Sequence, residues 1–248
     1  MSVSPLVGSL LKTQFNTRLA WATDTHLNCV SPSNFASFAH TIRSLGVNRL
    51  LITGDVSDGP SVVRHLTFLS KSLGTIPISF VMGNHDYWSR GFQPWGPWPE
   101  GLHYLTDSDP LDLGGGTYLV GVDGWYDGRA GEYEGSRFRM ADVGEIQEWK
   151  HLSRSQHLAA YQRRADFHTN LLTQRIRVAL SLGATRIIIA THFPPFARAC
   201  FYRGDPTAPS YLPFYCNRKM GADLTEIAES QPNISFLVLC GHTHGSCT

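Results

Sequence analysis

Five short polar words in this chain could do chemistry: Asp24-Thr25-His26, Gly54-Asp55, Gly83-Asn84-His85-Asp86, Thr191-His192 and Gly241-His242-Thr243-His244. Between them they offer carboxylates, imidazoles and a carboxamide, oxygen and nitrogen donors suited to a pair of divalent ions. Two such ions about 3.5 to 4 Å apart can activate a water and grip a phosphoryl group together, so hydrolysis of a phosphate ester is the chemistry these residue types imply. Each word alone has an ordinary reading. Asp24 or Asp58 could cap a helix, Gly54-Asp55 and Gly83-Asn84 could be plain turns, and His192 before Phe193-Pro194-Pro195 could be a hydrogen-bonded loop histidine. The ordered set carries the inference, not any one member.

The words are placed by what precedes them. Apolar runs at residues 18–23, 49–53, 78–82, 118–122, 186–190 and 235–240 read as strands, alternating with amphipathic stretches in an α/β pattern. Helices are expected at 33–45, 61–73, 157–182 and 223–230, the last with Asp223 as N-cap and Pro232 beyond its end. Five of the strands run directly into the five words. Ligand crevices of open α/β sheets lie beyond the carboxyl ends of strands, so the words should converge. Two irregular insertions, 87–101 and 193–219, follow two of the words and are expected to form a rim or lid.

A length of 248 residues with 42% hydrophobic side chains fits a single domain, 1–248, with an ample core. A net charge of +1, from 21 basic and 20 acidic side chains, argues against a nucleic-acid groove or an anionic membrane surface. A small phosphoester, or one exposed phosphate, suits that balance better. Residues 1–16 lack a basic start followed by an unbroken apolar run, and no other stretch is long enough for a membrane span. Cys29, Cys200, Cys216, Cys240 and Cys247 show no repeated spacing, which suits free thiols; cytoplasm is the expected location.

The words resemble those of the calcineurin-like metallophosphoesterase superfamily: D-x-H, G-D-x-x-D, G-N-H-D/E, a lone His and G-H-x-H. They stand here as Asp24-Thr25-His26, Gly54-Asp55-Val56-Ser57-Asp58, Gly83-Asn84-His85-Asp86, His192 and Gly241-His242-Thr243-His244, with every position filled over residues 18–245. The resemblance implies a four-layer α-β-β-α sandwich with two central mixed sheets. It implies that Asp24, His26 and His244 bind one metal, Asn84, His192 and His242 the other, and that Asp55 bridges both. The donor mixture favours Mn, Fe, Co, Ni or Zn over Ca. The reaction implied is attack by a metal-bridging hydroxide on a phosphomonoester or phosphodiester, with His85 as general acid, Asp86 orienting His85, and Asp58 supporting a ligand histidine. If the Gly241–Gly245 segment is extended, side-chain alternation aims His242 and His244 the same way. The superfamily usually continues with further strands after G-H-x-H, whereas this chain stops at Thr248: either earlier strands finish the sheet or the chain is shortened, and if the end is loose the two metals should bind unequally.

Other residues receive blander readings. His40, His65, His103, His151, His157 and His168 stand outside the words and are expected on the surface or hydrogen-bonded; Arg163, Arg164, Arg175 and Arg177 are expected on a solvated helix face. Cys29 and Cys240 are expected to be packed inside. Around the insertions, Trp88, Trp95, Trp98, Trp125, Tyr126, Phe201, Tyr202 and Tyr211 could stack on an aryl group, and Arg129, Arg198, Arg203 and Arg218 could reach a phosphate; Tyr202 and Arg203 are expected at the entrance. The competing reading is a catalytically silent protein-binding scaffold on the same fold.

Overall fold

The computed structural model describes residues 11–12, 17–89 and 96–245. One sheet holds five strands in the order β1 (Leu11–Lys12), β2 (Arg18–Ala22), β3 (Arg49–Thr53), β4 (Ile78–Val81) and β5 (Leu102–Tyr104). The other holds β6 (Leu111–Asp112), β7 (Thr117–Gly121), β8 (Arg186–Ala190) and β11 (Ser235–Leu239), in the order β11-β8-β7-β6. Both are mixed: β1 against β2 and β6 against β7 are antiparallel and the rest parallel. A separate hairpin joins β9 (Phe201–Tyr202) to β10 (Asp205–Pro206) inside the second insertion.

The apolar runs are nearly continuous because the central strands β3, β4 and β8 are buried on both faces. Side chains alternate with a period of two, and the alternation sorts them into layers. Leu19, Leu51 and Val81 of one sheet meet Leu119, Ile188, Ala190 and Leu239 of the other in a shared central core. Their neighbours Ala20, Ala22, Leu50, Ile52, Ile78 and Phe80 face outward under α1 (Pro32–Ser44) and α2 (Ser61–Leu73), which contribute Phe35, Phe38, Ile42, Val62, Leu66 and Leu69. On the far side Val120, Ile187 and Ile189 meet Leu172, Ile176 and Ala179 of α4 (Arg154–Ser181) and Met220 and Leu224 of α5 (Arg218–Ser230). The layers therefore run helix, sheet, sheet, helix. A short helix α3 (Asp142–Glu145) lies in the connection before α4, next to an aromatic core of Trp125, Tyr126, Tyr133, Trp149, Tyr161, Phe193 and Phe214.

Several boundaries differ from the expected ones, each for a local reason. Helix α4 begins before residue 157 because Ser153 and Gln156 form a reciprocal capping box. Helix α5 begins at Arg218, not Asp223, because the Asn217 side chain accepts from the Met220 N–H at 2.9 Å; Asp223 instead pairs with Lys219 at 2.6 Å. Strands β1, β5 and β6, of two or three residues, carry too little pattern to be seen in advance.

The face of α4 is not uniformly solvated. Arg175 is half-buried and donates to the carbonyls of Leu105, Thr106 and Gly121, and Arg164 lies over the rings of Tyr87, Trp125 and Trp149 at 4.6, 4.5 and 5.3 Å. Cys29 is exposed rather than packed, and the described cysteines 29, 200, 216 and 240 form no disulfide with one another. No described helix is long and apolar enough to cross a membrane.

Candidate metal centre

Parallel pairing with Ala22 opposite Ile52, Thr53 opposite Val81 and Ala190 opposite both Gly121 and Leu239 ends the strands level, so the words leave the sheets along one edge. The backbone then turns sharply. Asp24, His26, Asp55, His242 and His244 have φ of 50, 39, 48, 71 and 54°, a region that non-glycine residues rarely occupy and that concentrates at sites where surrounding contacts hold it. Their turns are laced together: Asp24 N–H donates to Gly54 O, His26 N–H to Asp55 O, and the His242 N–H to both Asp24 carboxylate oxygens at 3.1 Å. Two glycines permit the close approach. Gly54, at φ 86°, faces the His192 ring and Gly83 faces the Asp55 carboxylate, each where a Cβ would collide.

His242 and His244 are not on an extended segment, so alternation does not govern them. His242 points inward and His244 outward, into two different groups of donors. In the inner group Asn84 Oδ1 lies 3.2 Å from His192 Nε2 and 3.0 Å from His242 Nδ1, with Asp55 Oδ1 3.5 Å from His192 Nε2. In the outer group Asp24, His26, Asp55 and His244 each bring a ligand atom within 4.8 Å of the others. His244 Nε2 is 3.3 Å from Asp24 Oδ1, and His26 Nε2 is 3.8 Å from Asp55 Oδ2. Asp55 belongs to both groups, one oxygen facing each.

The chemistry of the inner group calls for a cation. A carbonyl only accepts, so His192 Nδ1 donates to Thr53 O at 2.8 Å and His242 Nε2 to Phe214 O at 3.0 Å. In the neutral rings the other nitrogens then present lone pairs, and both face Asn84 Oδ1. The Asn84 amide nitrogen is turned away, donating to Asp142 Oδ1 at 2.9 Å. With both rings neutral, two imidazole lone pairs, an amide oxygen and a carboxylate converge there. In the outer group His26 Nε2 is buried without a hydrogen-bond partner among the described residues. Both features fit a divalent metal site.

The charges agree. Burial pushes the Asp55 and Asp24 carboxyls up, yet His192 outweighs it at Asp55, and His244 with His192 at Asp24, so both are held below the ordinary carboxylate range. Burial pulls His192 down, but Asp55 drives it up to about 10. Burial and the His192 charge push His242 down to about 3, and burial pulls His26 down against Asp55.

Not every expected partner is the observed one. Asp86 does not orient His85: its carboxylate accepts from the backbone N–H groups of Val56, Ser57 and Gly83 and thereby locks the two turns together. Burial and Asp55 raise its pKa well above normal. Asp58, half-exposed, holds no ligand histidine; its Oδ1 lies 3.1 Å from His85 Nδ1, so it is the residue that orients His85. The His85 ring is stacked on Trp88, with centroids 3.6 Å apart. Trp125 and Tyr126 are fully buried, and Arg129 is engaged by Asp166 at 2.7 and 2.9 Å, so these are not placed for a substrate. Arg198 lies over Phe196, Trp98 packs on Phe80 and Tyr211 on Phe138. Tyr202 and Arg203 are exposed at the tip of the β9-β10 hairpin, whose Phe201 abuts Gly245 directly after His244. Trp95 lies outside the described residues.

The sequence reading missed two carboxylates, both fully buried. Asp123 accepts from Met82 N–H, Thr106 Oγ1 and the hydroxyls of Tyr87 and Tyr104, and its carbonyl accepts from His192 N–H. It follows the β7 run just as the other words follow theirs, so the signal that found them applied to it. Asp142 follows no strand and offered none.

The family model described as calcineurin-like phosphoesterase matches residues 17–246. The chain belongs to that family. This calcineurin-like chain is a hydrolase of phosphoester bonds, and the donors gathered around Asp55 form its candidate metal site. Among solved structures it is similar to a dimetal phosphatase from Danio rerio, with a TM-score of 0.55 and 16% identity over 93% of this chain and 83% of that one, a likeness of fold. No curated protein sequence matches it.

Proposed function

We propose that the protein hydrolyses a small phosphomonoester or phosphodiester with two divalent ions, of Mn, Fe, Co, Ni or Zn, held by Asp24, His26 and His244 on one side and Asn84, His192 and His242 on the other. The observation that carries the reading is Asp55, one carboxylate with an oxygen facing each donor group. When bound, the ions supply Lewis acidity for phosphoryl oxygens and lower the pKa of a water towards about 7. The chain's own part is to fix the donors and move a proton. Thr53 O and Phe214 O set the tautomers of His192 and His242, and Asp55 offsets part of the positive charge. His85, partly exposed, is the general acid for the leaving oxygen, with Asp58 turning its Nδ1. Tyr202 and Arg203 line the approach from the His244 side. Residues 1–248 act as one domain, in keeping with the core shared by both sheets, and the unbridged cysteines among the described residues support a cytoplasmic setting.

The test is hydrolysis of p-nitrophenyl phosphate and bis-p-nitrophenyl phosphate by metal-stripped protein reconstituted with Mn²⁺. Turnover should require the metal and fall on the order of 10³-fold in Asp55→Asn, the loss of several kcal/mol of transition-state stabilisation. His85→Ala should cost roughly 10²- to 10⁴-fold on an alkyl phosphate and less on p-nitrophenyl esters, whose leaving group needs no proton. Two ions bound with no turnover on any phosphoester would instead support the scaffold reading.

A further inference from the structure

Asp142 opens α3, yet its carboxylate does not cap that helix. It goes to three side chains from other segments. Oδ1 accepts from Asn84 Nδ2 at 2.9 Å and from Trp88 Nε1 at 2.8 Å, and Oδ2 accepts from the Tyr126 hydroxyl at 2.9 Å. Asp142 is fully buried, and no cation is among these partners.

Each of the three touches the site. A carboxamide presents oxygen and NH₂ ends of nearly equal shape, and only its partners decide which end faces which way. The carboxylate accepts only, so it holds the Asn84 NH₂ and forces Oδ1 toward His192 and His242. Trp88 is the ring on which His85 stacks, at 3.6 Å and 29°. Tyr126 lies near-parallel to the His242 ring, with centroids 6.2 Å apart. One buried carboxylate thus sets a donor on the inner side of the site and the platform under the residue at its mouth.

We propose that Asp142 is a positioning residue that fixes the Asn84 amide for metal binding and, through the Trp88 indole, fixes the ring of His85. The inference rests on the two-metal reading above. Its role is geometric, so a neutral side chain of the same shape should serve. In Asp142→Asn the amide oxygen still accepts from Asn84 and Trp88, and its NH₂ donates to the Tyr126 hydroxyl, which can accept. In Asp142→Leu nothing holds the Asn84 amide.

Mn²⁺ titration by calorimetry and EPR of the wild type, Asp142→Asn, Asp142→Leu and Trp88→Phe, with circular dichroism to confirm folding, tests the proposal. Asp142→Leu should weaken one of the two ions by roughly 10- to 100-fold and leave the other within about threefold, while Asp142→Asn keeps both within about threefold. Trp88→Phe should bind both ions normally and lower kcat, separating the two limbs of the clamp. Normal binding of both ions by Asp142→Leu, equal loss of both, or an Asn variant as impaired as the Leu variant would overturn the proposal. If Asp142→Leu does not fold, the Asn and Phe variants decide, and weakened Mn²⁺ binding by either counts against it. A wild type that binds no Mn²⁺ would defeat the two-metal reading itself, an outcome distinct from these.

Discussion

The inner and outer walls of the site use the same residue types but are built differently. On the inner wall every donor has a second partner: His192 is tied to Thr53 O, His242 to Phe214 O and Asn84 to Asp142; all three are buried, and both rings pack against Phe193. On the outer wall the His244 side chain is 49% exposed and paired with Asp24, and His26 Nε2 has no hydrogen-bond partner among the described residues. The difference teaches where rigidity is placed. The inner donors are held before any ion arrives, whereas the outer ones open to solvent where a substrate must enter.

The comparison breaks first at its two histidines. His242→Ala removes a buried ring packed on Phe193 and hydrogen-bonded through Nε2 to Phe214 O, so it should lower the stability of the metal-free protein by roughly 3 kcal/mol and abolish binding at the inner wall. His244→Ala should change stability by only about 0.5 kcal/mol and weaken the outer ion alone. Urea melts and Mn²⁺ titrations of the two variants measure this, and equal effects would show the walls to be alike.

A smaller effect concerns what lies behind the inner wall. His168 on α4 is buried, and burial, with the charges of Arg164 and Arg175, pulls its pKa from 6.5 down to about 4 despite Asp123. Because the folded value lies below the unfolded one, stability is intact above pH 6.5 and is lost as pH falls toward 4, by about 2 kcal/mol between pH 7 and pH 5. His168→Leu should flatten that slope in urea melts at the two pH values. An unchanged slope would mean that the wall tolerates a charge there.

Much of this was legible because the decisive residues follow apolar runs. Asp24, Asp55, Asn84, His192 and His242 follow the ends of strands whose patterns are unambiguous, and parallel pairing makes their convergence a matter of topology. What the words could not convey was which partner each residue takes. Asp86 was expected beside His85, its neighbour in sequence, but the sharp turn aims its carboxylate at three backbone N–H groups. Asp142 meets Asn84 across 58 positions, and no local pattern records such a meeting. Arg164 and Arg175 read as solvated because their charge is visible in sequence while the aromatic rings and free carbonyls that receive them are not.

The central claim is that Asp55 joins the two walls, and its most direct test is the EPR spectrum of the protein loaded with two equivalents of Mn²⁺. The account predicts the spectrum of an exchange-coupled pair in the wild type and its loss in Asp55→Asn. A single bound ion, two magnetically isolated ions, or a coupled pair that survives Asp55→Asn would contradict it.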